Sequence, residues 1–310
     1  MTIRRDMLAA AGRARTLLGD SAAAVGDFLL DRLLPDGGFA DRAGAGDLYY
    51  TVFGLQGLSA LNVPLPADRV AGYLASFGTG GELDMVHLGC LVRCWALLGR
   101  AGPADLRDQA LRRIDACRCP LGGYARRPGA ASGSAYGCFF ALAACQDLSA
   151  DLPDAAGVAA CIDSLAAPDG GYANDAHLPV GSTPATAAAV TVLHHLGRGA
   201  PAPTARWLLA QQAPDGGFLA IPLAPEADLL STATALHALA LLQADGSALR
   251  EPCLRFVRSL ARGDGAFGGH AGDPVCDCEY TFYGLLALGH LAAPPAPAAE
   301  RPEKNVNLPE

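Results

Sequence analysis

Gln212-Ala213-Pro214-Asp215-Gly216-Gly217-Phe218 decides the fold, because the Gly-Gly-aromatic signature at its end recurs along the chain. Pro35–Phe39 reads PDGGF, Leu121–Tyr124 reads LGGY and Pro168–Tyr172 reads PDGGY. Degenerate copies stand at Thr79–Glu82 (TGGE) and Phe267–His270 (FGGH), completing a series of six. Successive copies are roughly 40 to 50 residues apart, the period of a helical-pair repeat.

Two kinds of helix flank these loops. Pro252–Leu260 places Cys253, Phe256, Val257 and Leu260 at helical spacing and turns Arg255 and Arg258 elsewhere, a one-sided pattern. Ser231–Gln243 and Thr186–Leu196 are apolar on every face and are expected to be buried on both sides. Amphipathic helices alternating with buried ones imply two concentric layers. Six repeats then give an all-α, six-repeat α/α toroid of about twelve helices; a right-handed solenoid of helical pairs is the alternative. The glycines are expected to stop the outer helices, because Gly tolerates the left-handed conformation past a helix end. Inner helices rich in Ala, Ser and Thr leave room for a central pocket, mainly apolar, with polar groups at its mouth.

Hydrophobic residues make up 51% of the 310 residues and charged ones 17%, which suits closely packed helices around a large core. A net charge of −8 without a basic stripe argues against nucleic acid as a partner. The cysteines lie largely in apolar runs (Cys90, Cys94, Cys138, Cys145, Cys161), where a free thiol behaves as a small buried hydrophobe, so a reduced, cytoplasmic protein is expected. No apolar run of membrane-spanning length occurs, and the N-terminus lacks a signal-type core. Residues 1–292 are read as one toroid domain and 293–310, rich in Pro and Ala, as a tail that packs little.

The segment Gly37–Leu58, GGFADRAGAGDLYYTVFGLQGL, resembles the last repeat of protein prenyltransferase β subunits, especially the Rab geranylgeranyltransferase type. Gly122–Gly137 resembles another repeat of those subunits, and QAPDGGF is similar to the repeat of squalene and hopene cyclases. The resemblance covers nearly the whole chain and implies a toroid enclosing an isoprenoid-like or polyene substrate for transfer or cyclisation. It leaves an α-subunit-like partner open.

In the prenyltransferases the resemblance implies zinc held by an Asp-x-Cys pair and by the His of Asp-x-x-His-Thr. Asp47-Leu48-Tyr49-Tyr50-Thr51 matches the second motif with Tyr50 at the His position. Asp277-Cys278-Glu279-Tyr280-Thr281 matches the first with Glu279 at the Cys position, and Tyr280 corresponds to the diphosphate-contacting Tyr. A phenol is a poor zinc ligand beside imidazole, so no metal ligand set and no cofactor are assigned, with zinc left open as the lesser alternative. Asp277, Glu279, Tyr50, His87 and Asp47 are the candidate catalytic residues; Tyr49, Tyr280, Arg126, Arg127 and Asp84 are the candidate substrate contacts. In a closed ring repeat six abuts repeat one, which brings Asp277 and Glu279 to Tyr50; a second candidate cluster joins Asp47 and Tyr49 to Asp84 and His87. Asp47, Asp228 and Asp277 each precede a buried helix and also suit N-capping. His194, His195 and His237 are read as hydrogen-bonded core or cavity residues, and Cys117-x-Cys119 and Cys276-x-Cys278 lack the second pair of a zinc finger. The absence of an Asp-x-Asp-Asp motif argues against the usual acid of squalene-hopene cyclisation, and a protonated carboxyl at Asp277 or Glu279 in an apolar cavity is the alternative proton source. The competing reading is a non-catalytic toroid that binds a hydrophobic ligand, and a further one is a prenyltransferase with a displaced zinc site.

Overall fold

Six helices, apolar on nearly all faces, each start on a short polar residue that accepts a hydrogen bond from the first free N–H groups. These N-caps are Asp47, Asp84, Ser134, Ser182 and Asp228, with Asp277 accepting from the Tyr280 N–H in the same way. The computed structural model describes residues 1–292, so the tail expected at 293–310 lies outside the described residues. In chain order the elements are α1 (Ile3–Gly12), α2 (Arg15–Leu18), α3 (Ser21–Asp31), β1 (Phe39–Ala40), β2 (Gly46–Asp47), α4 (Leu48–Leu61), α5 (Ala67–Ala75), α6 (Met85–Leu97) and α7 (Leu106–Ala116). There follow α8 (Ala135–Asp147), α9 (Ala155–Ser164), α10 (Thr183–His195), α11 (Ala202–Ala210), β3 (Phe218–Leu219), β4 (Ala227–Asp228), α12 (Leu229–Leu241), α13 (Arg250–Ser259) and α14 (Cys278–Ala292).

The inner helices α4, α6, α8, α10, α12 and α14 touch in that order, and α14 returns to α4, so the ring is closed and the solenoid alternative is excluded. Outer helices α3, α5, α7, α9, α11 and α13 pack on them from outside. One contact fixes the hairpin to its inner helix in five of the six repeats, the second having Leu88 at the equivalent position. The N–H groups of Phe39, Tyr172, Phe218 and Phe267 donate to the hydroxyls of Thr51, Thr186, Thr232 and Thr281, while the Tyr124 N–H meets the Cys138 sulfur. Each of these residues lies four positions after an N-cap. Removing such a hydroxyl leaves a buried N–H unpaired, at a cost of about 1–3 kcal/mol.

The glycines work differently from the sequence expectation. Helix α3 ends on Arg32 and α11 on Gln211, both in right-handed geometry, and the Gly-Gly pair comes five residues later. It sits in a turn closed by Gly37 N–H to Leu34 O and Leu34 N–H to Gly38 O. Gly37 has φ +95°, and a Cβ there would overlap the Arg69 carbonyl oxygen of the next outer helix. The sixth copy is also shifted. Its turn is Asp264-Gly265-Ala266-Phe267, with Gly265 (φ +89°) pressed on the backbone of Ala24 and Val25 in α3. The last hairpin therefore packs on the first outer helix as those at Gly37, Gly122, Gly170 and Gly216 pack on the next outer helix.

Helix α1 lies across the ends of α4, α8 and α14, opposite the Gly-Gly rim. Gly289 of α14 accommodates the Ala10 backbone, Arg13 Nε donates to Gly289 O at 3.1 Å, and the Ile3 N–H donates to Gln146 Oε1 at 2.8 Å. Among the described residues, α1 thus covers part of the floor, the end opposite the Gly-Gly rim.

Candidate functional site

The inner helices enclose a cavity of about 360 Å³, a size that suits a small hydrophobic ligand. Counting from each N-cap orders its wall into layers. Two residues beyond the caps, nearest the rim, stand Tyr49, Val86, Tyr136, Pro184 and Leu230, all lining the cavity. Glu279 holds the sixth equivalent position, one hydrogen bond behind Tyr49. Five or six residues beyond the caps the wall is largely apolar, with Phe53, Cys90, Phe139, Phe140, Ala188 and Tyr283. Nine residues beyond, on the floor above Met7 of α1, come Gln56, Arg93, Ala143, Thr191, His237 and Leu286. Apolar walls match the expectation, whereas polar groups occur at the floor as well as at the mouth.

At the seam between α14 and α4 the Tyr49 hydroxyl donates to Glu279 Oε1 at 2.6 Å. Burial pushes the Glu279 carboxyl up to about 7, against the opposing effect of the Tyr49 hydrogen bond, which favours the carboxylate. Burial, then the neighbouring Tyr283 and Glu279, hold the Tyr49 phenol in its neutral form. Tyr50, half-buried on the same seam, is pushed up to about 12 by burial and then by Asp277 and Glu279. The ring therefore brings Asp277, Glu279, Tyr49 and Tyr50 together from opposite ends of the sequence.

Asp277 is buried and fully engaged. Its Oδ1 accepts the Tyr280 N–H at 2.8 Å and its Oδ2 accepts Arg42 Nε at 2.7 Å. Arg42 also meets Asp273 Oδ2 at 2.7 Å and lies over the Tyr280 ring, 5.2 Å from its centroid. Against desolvation, Arg42 lowers the Asp273 carboxyl below its ordinary value. Burial, then Glu279, pushes Tyr280 up to about 12.

The second cluster flanks α4 on its other side, at the mouth. Asp47 accepts the N–H groups of Tyr49 and Tyr50 at 2.8 and 3.1 Å. Asp84 accepts the His87 N–H at 2.9 Å and sits 2.8 Å from His87 Nδ1, while His87 Nε2 is 3.8 Å from Asp47 Oδ2. Although burial acts against it, His87 lowers the Asp84 carboxyl. Arg126 reaches the cavity wall; Arg127 is exposed on the rim and does not line it.

Zinc does not fit these residues. Cys278, within the Asp-x-Cys segment, is fully buried, and desolvation followed by Asp277 pushes it up to about 12, away from the thiolate a metal needs; burial also raises the half-buried Cys276. Among the described residues no group of three or more His, Cys, Asp or Glu side chains is arranged to hold a metal ion.

Sequence reasoning missed Arg42, Gln56, Arg93, Tyr136 and Tyr283. Arg93 carried a signal, being the one charged residue inside Met85–Leu97.

The model of the prenyltransferase alpha-alpha toroid domain matches residues 19–72, 65–151 and 131–291, and the chain belongs to this family. Protein geranylgeranyltransferase-I of Candida albicans, in complex with GGPP, shares the fold with a TM-score of 0.62 at 13% identity, over 87% of this chain and 90% of that one. A variant of type II terpene cyclase MstE from Scytonema, in complex with geranylgeranyl dihydroxybenzoate, gives 0.57 at 15% identity over 90% and 97%. A polysaccharide lyase gives 0.57 at 14% identity over 88% and 96%. Proteins with such different names on one fold leave the chemistry to be argued from the site. No curated protein matches the sequence. Among the described residues no helix is long and apolar enough to cross a membrane.

Proposed function

We propose that this protein is an enzyme that encloses a hydrophobic, isoprenoid-like polyene and cyclises it by proton transfer, without zinc-thiolate chemistry. The observation that carries this reading is the Glu279 carboxyl, raised to about 7 and hydrogen-bonded to a tyrosine of the cavity wall. Near neutral pH such a group is present in both protonation states, as an acid/base catalyst requires. The neutral carboxyl donates to the Tyr49 oxygen, and Tyr49 passes its own proton to an alkene carbon in the cavity. The tertiary cation formed there is attacked by a neighbouring double bond. Loss of a proton from the cyclised cation, back through Tyr49 to the Glu279 carboxylate, restores the site. Tyr49, Phe53, Tyr136, Phe139, Phe140 and Tyr283 supply aromatic surface that stabilises passing positive charge. Asp277, already engaged by Arg42, acts as a positioning residue that orders the start of α14 and so places Glu279. Tyr50, Tyr280, Asp47, Asp84, His87, Arg126 and Arg127 shape the mouth.

The known ligands of the fold neighbours, GGPP and geranylgeranyl dihydroxybenzoate, support isoprenoids as the substrate class. The test is incubation of the protein with linear polyprenyl substrates in D₂O. Expected are cyclised products carrying one deuterium, with turnover lost and ligand affinity kept in Glu279→Gln. Full turnover in that folded variant removes Glu279 from the chemistry. Ligand binding without turnover on any substrate favours the non-catalytic reading, which the commitment of Asp277 to Arg42 supports.

A further inference from the structure

The floor of the cavity differs from its walls. Four of the six positions nine residues beyond the N-caps are polar: Gln56, Arg93, Thr191 and His237. Thr191 spends its hydroxyl on the Ala187 carbonyl within its own helix, at 2.8 Å. The other three keep hydrogen-bonding capacity. Gln56 is 1% exposed and His237 6% exposed, yet Gln56 Oε1 and His237 Nε2 have no partner among the described residues. Arg93 gives Nε to Asp147 Oδ2 at 2.8 Å, and its remaining N–H groups make no hydrogen bond among the described residues. His237 Nδ1 lies 3.0 Å from His290 Nε2, which fixes that nitrogen and leaves Nε2 for another partner. Buried polar groups are ordinarily paired, and two on one wall without partners mark a place where something polar belongs.

We propose that Gln56, Arg93 and His237 form a recognition subsite for the hydroxyl end of an isoprenoid alcohol, which enters the toroid polar end first. The proposal rests on the reading of the cavity as the enclosure for an isoprenoid-like substrate, and adds the headgroup and the orientation. A hydroxyl offers one donor and two lone pairs, the mixture that an unpaired amide acceptor and unpaired guanidinium and imidazole nitrogens take up once their side chains turn to meet it. A carboxylate brings no proton for Gln56 Oε1, and the positive charge of Arg93 is met in part by Asp147, which it shares with Arg4. A hydrocarbon leaves every one of these groups unpaired. Seven residues of helix separate the floor from the Tyr49 and Glu279 layer, about 10 Å at the helical rise, so the reacting double bond lies well along the chain from the hydroxyl.

The test is equilibrium dialysis with three chains of equal carbon number: farnesol, farnesene and farnesoic acid. Wild-type protein is expected to hold farnesol about tenfold more tightly than farnesene. Gln56→Leu and His237→Phe, each checked for a cooperative melt, are expected to bring the two affinities together, weakening farnesol and tightening farnesene, which no longer leaves a polar group unpaired. Equal wild-type affinities overturn the subsite and leave a floor satisfied by water. Tighter binding of farnesoic acid than of farnesol overturns it in favour of an anion site, and a preference unchanged in both folded variants overturns the residue assignment. The wild-type comparison decides alone if a variant does not fold. Binding of none of the three sinks both the subsite and the isoprenoid cavity, whereas an alcohol preference kept in a protein without turnover sinks the cyclase reading only.

Discussion

Tyr49 donates a 2.6 Å hydrogen bond to Glu279 across the seam where the last inner helix meets the first, although 230 residues separate them in the chain. The bond stabilises the charged carboxylate, and desolvation opposes it. Loss of the hydroxyl in Tyr49→Phe therefore moves the Glu279 carboxyl above its present value of about 7. Because Tyr49→Phe also removes the proton relay and with it turnover, the shift is read by NMR titration of the labelled Glu279 carboxyl, which is expected to titrate at higher pH in this variant. An unmoved or downward-moving titration removes the Tyr49 hydrogen bond as a determinant of the carboxyl.

Glu279 also links stability to pH. Its folded value of about 7 exceeds the ordinary 4.5, so between these limits the folded state binds more protons than the unfolded state. The sign follows directly: the contribution is fully present below pH 4.5 and is lost as pH rises through 7. Glu279→Gln removes this dependence, and at alkaline pH the variant is expected to be more stable than wild type, by at most about 3 kcal/mol. Urea unfolding of both proteins on either side of the interval measures it; parallel stability curves contradict the shift.

Closing the ring depends on Gly265. Ala at this position adopts an unfavourable positive φ and meets the Ala24–Val25 backbone, so Gly265→Ala is expected to cost about 3 kcal/mol or more. Gly72→Ala is the contrast, on an exposed face of α5 with open space around it, and is expected to stabilise by about 0.5–1 kcal/mol. Thermal unfolding of the two variants should move in opposite directions.

Asp277→Asn keeps an acceptor for the Tyr280 N–H and gives up the charge facing Arg42. With the guanidinium partly exposed, the expected loss is about 1–2 kcal/mol, with turnover retained. Turnover abolished in a folded Asp277→Asn protein returns Asp277 to the chemistry.

Dialysis against a strong chelator is expected to leave turnover unchanged. Stoichiometric zinc in the purified protein, with activity that disappears on its removal and returns on its addition, reinstates the displaced metal site.

The toroid was legible because its punctuation is local. Gly37, Gly170 and Gly216 adopt φ between +95° and +99°, and that requirement is written into the sequence as glycine. The sixth copy was misread because in the first, fourth and fifth copies only the first glycine of the pair carries this constraint. Ala266 replaces the second, and its side chain fits a fully buried site. Asp47, Asp228 and Asp277 were legible as caps for the same local reason. Arg42 was not, since the carboxylates it holds lie more than 230 residues away and become neighbours only on closure. Gln56 and His237 required the register of six helices to be aligned at their N-caps before they fell into one layer. The floor itself was hidden, because nothing in the sequence of α1 marks it as a helix that enters the barrel.

That helix covers one end of the cavity. With Met7 beneath it, the layer of Tyr49, Val86, Tyr136 and Leu230 is, among the described residues, the route by which a ligand would enter and leave. A flexible chain threads such an opening readily, and a compact ring system is wider than the chain that formed it. Departure of the product is then the step in which the rim has to yield. The loops bearing the Gly-Gly turns, rather than the proton-transfer pair, would set the pace of the cycle.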